Sequence, residues 1–339
     1  MPADGDAVPA RLRAIYDLNV AGAREAIGRH EYDGVVQDLS PAGVTAGLAR
    51  LGEGPDPDDD YDAALLRAGE GLIRHELGEL QEHRRNPLWH ISNLDLSCYE
   101  REYAPLEERE AALERHVAAW PDAIDAAIEA LDRVPAPVAR AILPSAEGLA
   151  AGVPAASPAS EPAHAAHARL VEHLRGLAEN GDPDASLGPR QLAALMGAYE
   201  ATSVDLGRLA ERADAERDRL REMLADAGAR LRPGVDPREV VRELVRDHPT
   251  EAEEIYAEAS AQIDEATHFA LERLLIDDPG GVCLVGPAPP ARRWAMAMMA
   301  WAAPFEPDAA SWYHVTPPDP EWPQEEQDQW LQVFSRTTL

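Results

Sequence analysis

Residues 61–85 read YDAALLRAGEGLIRHELGELQEHRR, and this stretch decides the fold class. Leu65, Leu66, Leu72, Ile73, Leu77 and Leu80 recur on a helical period, so they line one face of an amphipathic helix. Working outward, the same period runs through most of the chain. Leu12, Ile15, Tyr16 and Val20 open an amphipathic stretch ending near Arg29. Pro and Gly punctuate HEYDGVVQDLSPAGV (30–44), and a short helix then runs to about Leu51. Residues 106–132 are helical around Pro121, which either kinks the helix or begins a new one. Residues 135–152, 163–180, 189–230, 237–247 and 250–276 read as further helices, the last with Thr250 placed to cap it. Only GGVCLVGP (280–287) alternates as a short strand does. The expected fold is all-α, with long helices and one short β element near 280–287. GVPAASPASEP (152–162) is the most linker-like stretch. The expected organisation is therefore a helical region at 1–152, a linker at 153–162 and a second helical region at 163–339.

The 339 residues carry 62 acidic and 31 basic side chains, a formal charge of −31. Such a surface repels phosphate backbones, which argues against nucleic acid as a partner. Every basic residue is Arg; the sequence holds no Lys. That excludes a Walker A loop, a pyridoxal Schiff base and a Lys nucleophile. Codon bias in a GC-rich genome accounts for the Ala and Arg enrichment. Two cysteines, Cys98 and Cys283, make neither a disulfide framework nor a zinc knuckle. The N-terminal MPADGDAVPARLR has no apolar signal core. The longest run of low polarity, 294–305, falls short of the roughly 18 residues that span a bilayer. These features point to a cytoplasmic protein with no membrane partner.

Candidate chemistry is sparse. DDDYD (58–62) fits the magnesium-binding pattern of class I terpene synthases, a remote alternative. Its second metal motif would need Asn, Ser and Glu at four-residue steps, whereas Asn93, Ser97 and Glu100 break that spacing. No HExxH is present; the His after His75-Glu76 is His83. Glu161/His164 and Glu265/His268 have the di-iron spacing, at a frequency chance explains. Cys98 lies near His90 in sequence, but a dyad requires geometry. No metal site is assigned. Residues 294–339 are rich in aromatics: Trp294, Trp301, Phe305, Trp312, Tyr313, Trp322, Trp330 and Phe334. They suit either a C-terminal core or a surface that packs on something further.

IDDPGGVCLVGPAPPARRWAMAMMAWAAPFEPDAASWYHVTPPDP and WPQEEQDQWLQVFSRTTL in the C-terminal third resemble the domain-of-unknown-function 885 (DUF885) family of bacterial proteins. So do HEYDGVVQDLSP, ELQEHRRNPLWHISNLDLSCYEREYAP and WPDAIDAAIEALDRVPAPV earlier. The resemblance implies a long-helix, zincin-like metallopeptidase architecture with a deep cleft, related to the gluzincins. It also implies zinc for the full-length family, held by a His-Glu-x-x-Pro-Gly-His helix, and a peptide-like small substrate. That helix would follow Ser335-Arg336-Thr337-Thr338-Leu339, where the sequence stops. No catalytic residue, metal ligand or cofactor is therefore expected in this chain. The expected function is the N-terminal part of a zinc-dependent peptidase or amidase, inactive alone. Its partner would be the missing C-terminal half or a second copy. The alternative is a non-enzymatic acidic helical interaction module. By the same resemblance, Trp312, Tyr313, His314 and Thr316 would lie near the substrate cleft, unless WYHVTPPDP is a structural strand or Pro-rich turn.

Overall fold

Val117, Trp120, Ile124 and Ala127 are spaced to share one helix face. The computed structural model, which describes residues 8–306 and 308–335, buries all four completely. The chain divides into two units, the first made of residues 1–204, 289–294 and 301–309 and the second of the rest. The segment 153–162, expected as a linker, falls within the first unit, and Val153 and Ser160 are buried there.

The longer α-helices of the first unit are α1 (Ala10–Asp17), α2 (Pro41–Arg50), α3 (Asp60–Ile73), α4 (Leu88–Leu94), α5 (Leu106–Ala130), α6 (Ala136–Gly148), α7 (Ser160–Asn180) and α8 (Gly188–Tyr199). The main core forms where α5, α6 and α7 pack together around Trp120. Ala139 and Ala146 on α6, with Ala163 and Ala166 on α7, keep the facing surfaces low. Leu170 and Leu174 then fill the space beside the indole. Pro121 sits inside α5 without ending it, because Trp120 and Ile124 anchor both sides of the missing N–H.

A second core gathers Ala14, Leu18, Leu39, Val44, Ile73 and Leu77 from α1, α2, α3 and the segments between them. The stripe expected on 61–85 is only partly the buried one. Ile73, Leu77 and Leu80 are inside, but Leu65 is 54% exposed and Glu70 is buried in its place. Arg11 explains the exchange. Its Nε and Nη2 donate to the two Glu70 oxygens at 2.8 and 2.7 Å, and these bonds hold Glu70 below the usual carboxylate range. After Ile73 the helix widens into one π turn, Arg74–Glu79.

The segments 289–294 and 301–309 are pinned into the first unit by charge. Arg292 donates to both oxygens of Glu25, and its Nε donates to Asp95 at 2.6 Å. Burial alone would raise the Asp95 carboxyl, but the Arg292 charge overrides it and holds it low. Arg101 likewise pairs with buried Glu306. Gly148 is required here. A Cβ on it would lie 2.5 Å from the Pro290 carbonyl, so only glycine lets that backbone pass.

In the second unit, α9 (Leu206–Leu231), α10 (Pro237–Leu244), α11 (Ala252–Glu272) and α12 (Gln324–Gln332) accompany a three-stranded sheet. Residues 189–230, expected as one helix, are two. Thr202 N–H reaches back to the Gly197 carbonyl at 2.9 Å, and Asp205 caps α9 through the N–H groups of Gly207 and Arg208. The all-α expectation is corrected to mostly helical with a small mixed sheet. The element near 280–287 is present as β1 (Cys283–Pro287), and β2 (Ala297–Ala300) and β3 (Ser311–Val315) join it. The order is β1-β3-β2, with β1 parallel and β2 antiparallel to β3.

Trp120 has no hydrogen-bond partner for its indole N–H among the described residues. Trp120→Ala is therefore expected to cost about 3–5 kcal/mol, and Trp120→Phe far less, because no hydrogen bond is lost. Urea unfolding of the two variants measures the difference. A second expectation concerns acid. Burial pushes His83 and His90 down to about 4 and His116 to about 3. The folded values lie below the unfolded one, about 6.5. Stability is thus complete above that pH and falls as pH drops toward the folded values, by up to about 1.4 kcal/mol per pH unit for each histidine. Urea midpoints between pH 7 and 4 test this, with His116→Asn expected to flatten the slope.

Candidate functional site

The four residues expected at the cleft lie on β3 and just beyond it. Side chains alternate along a strand, so Trp312 and His314 face one way and Tyr313 and Val315 the other. The second face builds a core. Val315 is fully buried with Ile255, Leu331 and Phe334, and Tyr313, Tyr256 and Trp330 pack against them. Burial accordingly raises the Tyr313 hydroxyl.

On the other face the Trp312 and His314 rings stack, with centroids 5.4 Å apart and planes 5° from parallel. His314 Nδ1 lies 3.3 Å from the Pro287 carbonyl, to which it donates. Gly286 on β1 leaves room for the indole; a Cβ there would approach Trp312 to 3.2 Å. Leu284, Met298 and Ala300 stand on the same face by register. Thr316 is different. It is buried, its N–H donates to Met296 at 2.8 Å, its hydroxyl donates to the Ala295 carbonyl, and its carbonyl accepts from Trp330 Nε1 at 2.9 Å. The four residues are thus close in sequence but divided: an aromatic pair on one face, Tyr313 in the opposite core, and Thr316 committed to backbone bonds.

The remaining motifs are not brought together. Asp59 of DDDYD caps α3 by accepting from Tyr61 and Asp62. Asn93 is buried and exchanges two hydrogen bonds with the backbone of Gln37, while Ser97 bonds to Asp95. Cys98 is buried, and burial pushes its thiol up to about 12, so it is a packed thiol rather than a nucleophile. His90 donates from Nε2 to the His83 carbonyl at 2.8 Å. His116 donates from Nε2 to the Asn93 carbonyl at 2.9 Å and accepts from the Tyr99 hydroxyl at 3.0 Å. His268 pairs with Glu272 on an exposed helix surface. Among the described residues no three His, Cys, Asp or Glu are grouped as a metal would need. The described residues therefore offer no ligand set that fits the zinc implied by the resemblance.

One concave site was not foreseen. In the first unit a cavity of about 680 Å³ opens beside the π turn, within the range of small-molecule sites. Glu76, Glu82, Arg85, Trp89 and Tyr199 are on its wall. The Tyr199 hydroxyl donates to Glu76 at 2.6 Å, which pushes the phenol up to about 12. Burial raises the Glu82 carboxyl, and the Glu76 charge adds to the rise while Asn86 and Arg85 oppose it. These residues come from four elements, the π turn, the short helix Glu82–Arg85, α4 and α8, and form no spacing motif. The only sequence signal was the pair His75-Glu76, whose Glu turns toward the cavity.

No curated protein sequence matches the chain. Among solved structures the fold is similar to that described as "a putative lipoprotein of unknown function from Shewanella oneidensis". The TM-score is 0.61 at 15% identity, covering 96% of this chain and 67% of that one. This neighbour corrects the cytoplasmic location expected from the sequence. The fold occurs in a protein described as a lipoprotein, so two unpaired cysteines do not place this chain in the cytoplasm. The N-terminal stretch read as lacking an apolar signal core includes residues 1–7, which lie outside the described residues, as do residues 336–339 of the C-terminal signature. No described helix is long and apolar enough to cross a membrane. The pattern described as "Bacterial protein of unknown function (DUF885)" matches residues 23–333, and the chain belongs to that family.

Proposed function

We propose that this chain is the peptide-recognising part of a zinc-dependent peptidase- or amidase-like protein, without hydrolytic activity of its own. The observation that carries the reading is β2. It is an edge strand, antiparallel to its neighbour, in a mixed sheet whose Trp312–His314 face lies beside it. An extended peptide adds to such an edge through main-chain hydrogen bonds, and alternate side chains then meet the sheet face. The zincin-like arrangement belongs to the same proposal, supported by long helices accompanying a small sheet. A zinc-bearing half or a second copy of the chain is the partner that would complete it.

Purified chain dialysed with zinc is expected to retain no stoichiometric metal by elemental analysis and to release no fluorophore from peptide or amide substrates. Turnover abolished by a chelator would overturn the claim of inactivity. Extended peptides of about eight residues, matching a short added strand, are expected to bind saturably in fluorescence titrations. Trp312→Ala should weaken them by about tenfold, the size of one aromatic contact.

A second reading, the helical interaction module, has its own observation. Leu206, Ala210, Ala213, Leu220, Leu224, Ala227 and Leu231 follow the alternating four- and three-residue steps of a coiled-coil seam along α9, with Arg217 in the remaining position. Leu220 is 50% and Leu231 60% exposed. Leu220→Glu with Leu224→Glu is expected to abolish any concentration-dependent dimer seen by light scattering. A monomer at all concentrations, with no binding of an apolar dye, would remove this reading.

A further inference from the structure

The cavity of the first unit brings Glu76, Glu82 and Arg85 onto one wall without a direct ion pair among them. Its wall carries two carboxyls, Glu76 and Glu82, close enough that the charge of one opposes ionisation of the other. The π turn Arg74–Glu79 places Glu76 there, and the short helix Glu82–Arg85 places both Glu82 and Arg85. Such π turns recur where a helix must present a side chain to a ligand. Two neighbouring carboxyls are relieved by a cation between them. The hydrogen bond that Glu76 accepts comes from the neutral Tyr199 hydroxyl, and at Glu82 the Arg85 charge lowers the carboxyl while the Glu76 charge raises it, so the two carboxyls are only partly compensated within the wall.

Arg85 presents the opposite need. It is half-buried, lines the cavity, and makes no ion pair or hydrogen bond among the described residues. By contrast, nearby Arg84 is paired with Asp132. The Arg85 charge acts on the Glu82 carboxyl without a direct bond between them, so its N–H groups are left to take a planar anion through two parallel bonds. The remaining wall includes Leu88, Trp89 and Leu195, an apolar surface with one aromatic ring.

We propose that this cavity binds a small zwitterion of the amino-acid type, its carboxylate on Arg85, its ammonium between Glu76 and Glu82, and an apolar side chain against Leu88, Trp89 and Leu195. The inference is independent of the peptide-recognition reading, which concerns the sheet of the other unit. A chain-internal peptide segment lacks both charges, so the site is one for free small molecules.

Calorimetric titration of the purified chain with three probes of one shape separates the elements. L-Leucine carries both charges, L-leucinamide only the ammonium, and 4-methylpentanoate only the carboxylate. At concentrations to about 10 mM, where millimolar affinity registers, L-leucine is expected to bind saturably and each analogue at least tenfold more weakly. Arg85→Gln should weaken L-leucine at least tenfold and leave L-leucinamide unchanged. Glu82→Gln should weaken L-leucinamide and leave 4-methylpentanoate unchanged. Both side chains are partly exposed, and circular dichroism confirms that each variant is folded. The proposal is overturned if folded protein binds none of the three probes. It is equally overturned if the single-charge analogues match L-leucine, or if both variants bind as the parent does.

Discussion

The guanidinium of Arg292 sets the path of the chain. It is bound by Glu25 and Asp95, residues far earlier in sequence; Asp95 is buried, and Arg292 and Glu25 are partly so. Inside a low-dielectric region such a group is tolerable only with its full complement of acceptors. Two carboxylates supply it, so residues 289–294 have one position available to them. The Pro290 carbonyl then passes against Gly148 at a distance no other residue permits.

Most of the helical architecture was legible because burial follows the helical period, and α5 and α7 carry unbroken apolar faces. The failures have identifiable causes. Leu65 looked like core and is not, because Arg11 supplies a partner that lets Glu70 occupy the buried position. The break before α9 was hidden because Ala201, rather than glycine, takes the left-handed conformation, at φ 48°. β2 reads AMMA, four residues with better helix than strand propensity, and only its pairing with β3 makes it a strand. β3 was legible as one of two alternatives, since SWYHV has the aromatic and β-branched character of a strand.

The candidate sites divide along the same line. Contiguous residues on β3 could be named from sequence, but their opposite orientations followed only from knowing the segment is a strand. The cavity was illegible for a different reason. Glu76, Arg85 and Tyr199 are drawn together by tertiary packing over more than a hundred positions, and no spacing rule encodes such a meeting. The buried histidines show the converse. Eleven histidines invite metal-site readings, yet His90 and His116 spend their ring nitrogens on backbone carbonyls and the Tyr99 hydroxyl.

The first unit is discontinuous in sequence, since residues 289–294 and 301–309 belong to it. A ribosome releases Glu25, Asp95 and Arg101 long before it reaches Arg292 and Glu306. The early helices must therefore wait, with their acidic and basic groups still hydrated, until residues 289–309 emerge. Nor can either unit be cut out at a single peptide bond or exchanged by one recombination event. The two are bound to be inherited together, whatever each of them binds.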